Sequence, residues 1–113
     1  MRKRAQASTI LGTLTEPALM HMVVECAQLN GFLVAHFRPA QTLHGWRTAV
    51  AYDGMGYPDL TLCRPPRLLL VELKSMKGKV SPEQQTWLDA LGACPGVEAY
   101  LWSPDAWQSG EIL

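Results

Sequence analysis

The stretch from Gly56 to Lys74 constrains the fold of this chain more than any other part of the sequence. It holds two short apolar runs separated by Arg64–Arg67, whose central Pro65-Pro66 pair cannot donate hydrogen bonds to a sheet ladder. The pattern therefore predicts a four-residue loop joining two antiparallel strands, Asp59–Cys63 and Leu68–Lys74.

The predicted register brings two acidic residues together. Pairing Cys63 with Leu68 sets Asp59 opposite Glu72, and the pairs between them are Leu62–Leu69, Thr61–Leu70 and Leu60–Val71. Opposed carboxylates are unfavourable unless a positive charge neutralises them. Lys74 follows two residues after Glu72, on the same face of the strand. Two carboxylates and one ammonium group meeting at one place predict a site for a divalent cation.

This arrangement resembles the PD-(D/E)xK nuclease signature, with Pro58-Asp59 as its first part and Glu72-Leu73-Lys74 as its second. The surrounding residues are similar to the VRR-NUC (virus-type replication-repair nuclease) domain. They are Gly56–Asp59, Val71–Ser75, Val80–Leu88, Val97–Trp102 and Ser103–Trp107. The resemblance covers nearly the whole chain after the first dozen residues. It implies an α/β fold with a restriction-endonuclease-like core, a mixed sheet flanked by helices in the order α-β-β-β-α-β.

Length and composition limit the chain to one domain. Its 113 residues suffice for a single modest core, which we expect over residues 14–113, after a flexible basic arm at residues 1–13. No apolar run is long enough to span a membrane, and no apolar signal core follows the basic start. The three cysteines are widely spaced and form no CxxC pair. We expect reduced, mostly buried thiols, no zinc site and a cytoplasmic protein.

The charges are balanced overall but unevenly placed. A formal net charge of zero argues against strong non-specific binding of nucleic acid. Arg38, Arg47, Lys77 and Lys79 are nevertheless candidates for holding DNA phosphates, although each also fits an ordinary solvated charge. Trp46 is the aromatic residue expected to touch nucleic acid, whereas Tyr57 is expected to pack on the sheet.

Local signals predict the remaining elements. Thr15 caps a first helix that ends at Asn30-Gly31 and turns Met20, Val23, Val24 and Ala27 inward. Strands are predicted at Phe32–Phe37, at Val97–Trp102 and, as a short edge strand, at Thr48–Tyr52. A second helix begins at Ser81-Pro82 with an inner face of Gln84, Trp87, Leu88 and Leu91, and a short final helix starts at Ser103-Pro104.

The candidate site consists of Asp59, Glu72 and Lys74, together with one more acidic ligand for which the sequence offers two candidates. Glu72 follows four apolar residues, so its carboxylate is expected to be buried beside Asp59, where oxygen ligands favour Mg²⁺ or Mn²⁺. The resemblance implies the backbone carbonyl of Leu73 as a further ligand and a glutamate from the first helix. Helical phase favours Glu16 for that position over the alternative, Glu25.

Two side chains near this centre have assigned roles. We expect Lys74 to stabilise charge on the reacting phosphate rather than to act as a general base. Gln84 is placed near the site by the resemblance, but it also completes a capping box with Ser81. One side chain is not expected to make both contacts at once, and the site contact is favoured.

The resemblance implies a metal-dependent DNA endonuclease that uses Mg²⁺ or Mn²⁺, without a small-molecule cofactor or a membrane partner. It further implies a stand-alone phage or bacterial protein that acts as a homodimer on branched DNA, such as Holliday junctions. One alternative is a general nuclease on linear duplex or single-stranded DNA. Another is a catalytically silent nucleic-acid-binding module of the same fold, against which the intact Asp59, Glu72 and Lys74 argue.

Overall fold

The computed structural model describes residues 14–37, 40–43, 45–47 and 50–112, with the backbone alone for residues 40–42, 46 and 47. The arm expected at residues 1–13 and the candidate DNA contact Arg38 lie outside this range. Within it, no helix is both long and apolar enough to cross a membrane.

The described chain contains three helices and six strands. In chain order they are α1 (Glu16–Leu29), β1 (Leu33–His36), β2 (Ala40–Thr42), β3 (Gly45–Arg47), β4 (Leu60–Arg64), β5 (Arg67–Leu73), α2 (Pro82–Gly92), β6 (Val97–Trp102) and α3 (Pro104–Ser109). Apart from the small β2–β3 hairpin, the order through β6 is the predicted α-β-β-β-α-β.

The main sheet has the strand order β1-β4-β5-β6. β1 and β5 both lie antiparallel to β4, and β5 lies parallel to β6. A parallel pair requires a crossover connection, which α2 supplies. β2 and β3 form a separate two-stranded sheet.

The predicted edge strand at Thr48–Tyr52 is wrong in its described part, because Val50 to Tyr52 form no strand. Tyr52 has a φ of 56°, in the left-handed region that an extended strand cannot use. The β2–β3 hairpin was not predicted. Its strands of three residues each are too short to show a period-two pattern.

The predicted register of the β4–β5 hairpin is confirmed from Cys63↔Leu68 to Leu60↔Val71. The predicted four-residue loop is wrong, because Arg64 and Arg67 also pair and leave only Pro65-Pro66 outside the ladder. Both arginines are fixed at the sheet end. The Nη1 of Arg64 donates to the carbonyl of Asn30 at 2.7 Å, and Arg67 forms a bidentate ion pair with Glu98.

The core lies between α1 and one face of the sheet. Thr15 caps α1 as predicted, its hydroxyl accepting from the N–H of Ala18 at 3.2 Å. The fully buried row of α1 is Leu19, Val23 and Ala27, and it packs on Leu60, Leu62, Leu69, Val71, Leu73 and Trp102. Leu19 therefore takes the inward position predicted for Met20, which is only partly buried along with Val24.

Helix α2 lies over the opposite face of the sheet, mainly against β6. Its predicted start is confirmed: Ser81 is the N-cap, Pro82 the first helical residue and Gln84 the partner in a capping box. The predicted inner face is the least exposed side of the helix, although no α2 residue is fully buried. The thiols are free as predicted, but they are not mostly buried, since Cys94 is exposed and Cys26 and Cys63 are half-buried.

Candidate active site

Asp59 precedes the first residue of β4 and is held by the end of β5. The N–H of Leu73 donates to Oδ2 of Asp59 at 2.8 Å. This bond fixes one carboxylate oxygen of Asp59 at the end of β5, near Glu72. The carbonyl of Leu73 as a metal ligand stays a prediction.

Glu72 is the one buried charged side chain among the described residues, with 2% of its surface exposed. Its Oε2 accepts from Nε2 of Gln84 at 3.1 Å. Burial, and next the neighbouring carboxyl of Asp59, raise the pKa of Glu72 to about 9, although Lys74 opposes the shift. Without a cation, this carboxyl therefore holds a proton at neutral pH.

Glu16 joins these two residues from the start of α1. One carboxylate oxygen from each of Glu16, Asp59 and Glu72 lies within 4.8 Å of the others. Burial and Asp59 also raise the pKa of Glu16, against a smaller opposing effect of Lys74. Glu25, the alternative member, lies exposed nine residues further along the helix and outside this cluster.

Lys74 directly follows β5, and its backbone N–H donates to the carbonyl of Trp102 at 3.0 Å. Its ammonium makes no salt bridge within 4.0 Å of a described carboxylate, yet its charge opposes the rise in the pKa of both Glu72 and Glu16. The ammonium group of Lys74 is therefore near enough to act on the site electrostatically, and it is not held in an ion pair with a described carboxylate. A Cβ at Gly78 would lie 3.2 Å from Cδ of Lys74, so the following turn packs against the lysine stem.

Gln84 makes both of the contacts that were expected to exclude each other. Its Oε1 accepts from the N–H of Ser81 at 2.9 Å, while its Nε2 donates to Glu72. The expectation was wrong because an amide carries an acceptor and a donor on opposite sides of one group. The capping bond orients the amide, so its donor points at the buried carboxyl.

The loop before Asp59 is docked onto the start of α2. Gly56 has a φ of 85°, and a Cβ there would lie only 2.6 Å from the backbone carbon of Glu83. Trp87 adds a hydrogen bond from Nε1 to the carbonyl of Asp53, at 2.9 Å. These contacts were not predicted, although a glycine immediately before the Tyr57-Pro58-Asp59 motif was a usable signal.

The expected DNA contacts stay predictions. Lys77 and Lys79 are exposed in the segment after β5, and Trp46 and Arg47 belong to β3, where only the backbone is described. Tyr57 packs between Phe37 and Trp87, with ring centroids 6.0 and 5.0 Å away.

The donor set fits a hard divalent cation. It consists of three carboxylates from three separate elements, one of them buried where an unneutralised charge is costly. A bound cation would replace the proton on Glu72 and offset the mutual repulsion of the carboxylates. Oxygen ligands of this kind suit Mg²⁺ or Mn²⁺ rather than zinc.

Comparison with known families gives one match. The family model of the VRR-NUC domain matches residues 18–103, which is more than half of the chain. The matched range contains Asp59, Glu72, Lys74 and Gln84, and it begins two residues after Glu16. No curated protein matches the chain.

Proposed function

This chain belongs to the VRR-NUC domain family, and from that premise we propose that it is a metal-dependent DNA endonuclease hydrolysing phosphodiester bonds. A VRR-NUC domain has the PD-(D/E)xK fold and is a nuclease of that type. Such nucleases generally depend on a divalent metal. We propose DNA as the substrate and Mg²⁺ or Mn²⁺ as the metal.

In this proposal Asp59, Glu72, Glu16 and the carbonyl of Leu73 hold the cation, which when bound supplies charge neutralisation and Lewis-acid activation of water. Lys74 stabilises the negative charge that develops on the phosphate oxygens. Gln84 keeps the Glu72 carboxylate in place through its donated hydrogen bond.

One observation carries the proposal. Three carboxylates from the start of α1, the start of β4 and the end of β5 lie within 4.8 Å of one another beside an ammonium group with no ion-pair partner among the described residues. A module that only binds nucleic acid has no use for such a cluster, because crowded carboxylates repel both one another and phosphates.

The test is a cleavage assay on a labelled four-way junction, a flap, a linear duplex and a single strand, each in Mg²⁺, Mn²⁺ and EDTA. We expect metal-dependent cutting that falls by on the order of 100-fold in Lys74→Ala. Glu16→Gln should lose activity, while its matched control Glu25→Gln, on the same helix, should keep it. Binding without cutting under every condition would identify a silent module, and cutting in EDTA would contradict the metal site.

We further propose that the active species is a homodimer acting on branched DNA. A small domain of net charge zero offers little surface to a duplex, and two copies would double that surface. Light scattering should give a dimer mass, and a junction should be cut by paired, symmetric nicks. A monomer that cuts all four substrates equally would reject this part and leave the nuclease intact.

A further inference from the structure

We propose that Phe37 stacks an unpaired nucleobase beside the carboxylate cluster, with Tyr57 and Trp87 holding its ring in place. The inference rests on the proposed nuclease function and adds to it a preference for unpaired nucleotides next to the reacting phosphodiester. It is drawn from a row of three aromatic rings at the same end of the sheet as Asp59 and Glu72.

The rings of Phe37, Tyr57 and Trp87 form a continuous row in which each ring contacts the next. The ring centroids of Phe37 and Tyr57 are 6.0 Å apart, and those of Tyr57 and Trp87 are 5.0 Å apart, both in edge-to-face arrangements. Trp87 is anchored by its hydrogen bond to the carbonyl of Asp53. The rings are thus held by one another and by α2, which lowers the entropy lost when a base is stacked on them.

Each of the three ring residues lies close, in the chain or in the sheet, to a residue of the acidic site. Tyr57 stands two residues before Asp59 in the chain, and Trp87 stands one helical turn after Gln84, which donates to Glu72. Phe37 directly follows His36, whose partner in β4 is Leu60, the neighbour of Asp59. A nucleotide whose phosphate reaches the carboxylates would therefore bring its base to these rings.

The solvent exposure of the row is greatest at Phe37. Phe37 has 56% of its surface exposed and Tyr57 has 36%, whereas the rings of Phe32 and Trp102 are buried in the core. α2 packs mainly on β6, at the far edge of the sheet from β1. The exposed face of Phe37 is available to a ligand with a flat, apolar surface.

Charge favours a base as that ligand. The chain has no net charge, so neutralising phosphates can supply only part of its affinity for DNA. Stacking on an aromatic ring contributes affinity without a cation and depends little on sequence. Bases inside a continuous duplex are already stacked on their neighbours, so this contact selects the unpaired bases of single strands, flaps and branch points.

The test measures the binding of a single-stranded and a duplex oligonucleotide of the same sequence by fluorescence anisotropy in EDTA, at several salt concentrations. Phe37→Ala should weaken single-strand binding by on the order of 10- to 100-fold, the loss expected for one stacked base. Duplex binding should change by less than about twofold, and the salt dependence should stay the same because no phosphate contact is removed.

Two further variants keep the result interpretable. Phe37→Leu retains an apolar contact to Tyr57 without an aromatic face, so it should fold normally and lose the same preference. Phe37→Trp should retain it. Tyr52→Ala, which removes a fully exposed ring of the loop outside the row, should bind like wild type.

Equal binding by Phe37→Leu and wild type would overturn the inference. So would equal losses on both oligonucleotides together with conversion of an oligomer to a monomer, which would identify the row as a subunit contact. Wild-type protein that cuts DNA but binds the two oligonucleotides equally would reject the stacking and leave the nuclease standing. A wild type that neither binds nor cuts would reject both.

Discussion

At the scale of single residues, the burial of Glu72 decides how the site responds to pH. With 2% of its surface exposed and Asp59 beside it, the carboxyl has a pKa raised from 4.5 to about 9. Between pH 4.5 and about pH 9, the Glu72 carboxyl of the folded, metal-free protein therefore keeps its proton, whereas in the unfolded chain the same carboxyl is ionised. A divalent cation competes for the same oxygen atoms, so metal affinity and pH are linked.

The first prediction is that metal binding releases about one proton near pH 7.5 and tightens by about tenfold per pH unit below the pKa of Glu72. In EDTA, the free energy of unfolding should fall as pH rises from 4.5 towards 9, because only the folded state holds the proton. Calorimetry in buffers of different ionisation enthalpy, and urea unfolding against pH, measure the two effects.

Glu72→Gln supplies the control for this linkage. It should bind no metal at the site, and its stability in EDTA should vary less with pH, with the remaining slope coming from the raised pKa of Glu16. A wild type whose metal affinity is independent of pH would contradict the prediction.

Gly56 carries a second residue-scale prediction, for which the chain offers a matched control. Gly56 and Gly96 have φ values of 85° and 81°, so alanine is strained at both positions. A Cβ at Gly56 would also meet the backbone of Glu83 and Gln84 at 2.6 and 2.7 Å, whereas at Gly96 nothing lies within 4 Å.

Gly96→Ala should therefore cost about 1 kcal/mol of stability and leave nuclease activity unchanged. Gly56→Ala should cost at least about 2 kcal/mol, and the activity of the folded fraction should fall because Asp59 moves with the loop. Urea unfolding and cleavage of one DNA substrate measure both. Equal effects of the two variants would show that the close approach to α2 is not required.

At the scale of elements, the start of α2 combines a helix cap with a contact to the active site. Ser81 accepts from the N–H of Gln84, and Gln84 accepts from the N–H of Ser81 while donating to Glu72. Glutamate at position 84 would keep the cap but replace the donor with a second acceptor. The glutamine amide therefore suits this position, because it can accept from the N–H of Ser81 and donate to Glu72 at the same time.

The third prediction separates these two contacts. Ser81→Ala should lower the free energy of unfolding by about 1 kcal/mol, with activity near that of wild type. Gln84→Glu should keep the stability of the helix but weaken metal binding and cleavage, because its carboxylate faces Glu72. Thermal unfolding and metal titration distinguish them, and a fully active Gln84→Glu would show that the donor to Glu72 is dispensable.

Much of this architecture could be predicted because local rules fix it. Pro65-Pro66 places a turn, and the two-residue period of strands then fixes which side chains share a face, so Asp59 and Glu72 could be paired without coordinates. The dual role of Gln84 could not be predicted. It depends on how far the crossover sets the start of α2 from β5, a distance that no local pattern contains.

The same limit applies to the docking of Gly56 on Glu83. Residues 27 positions apart meet there only because tertiary packing folds the loop onto the helix. The solvent exposure of Phe37 could not be predicted either. An apolar residue at the end of a strand fits the core as well as the surface, and which of the two applies depends on where α2 packs on the sheet.

At the scale of the whole molecule, the site joins three parts of the fold that are distant in sequence. The start of α1, the start of β4 and the end of β5 each supply one carboxylate. In the unfolded chain these groups are far apart, so a divalent cation binds the folded state preferentially. Metal binding is therefore coupled to the stability of the fold.

The fourth prediction is that Mn²⁺ at 100 times its dissociation constant stabilises the wild type by about 2.7 kcal/mol. Lys74→Ala should show the same stabilisation without cleavage, because the lysine is not a ligand. Asp59→Asn keeps an acceptor for the N–H of Leu73, so it should fold but gain little from the metal. Loss of the stabilisation in Lys74→Ala would contradict the assigned roles.

The attachment of Asp59 and Glu72 to the first turn of α2 has a mechanical consequence. The loop leading to Asp59 rests on that turn at Gly56, and Glu72 is bonded to it through Gln84. A substitution that displaces this turn should therefore disturb both acidic groups at once. The same turn thus helps to set the spacing between the two groups, on which a small ion with strict coordination geometry depends.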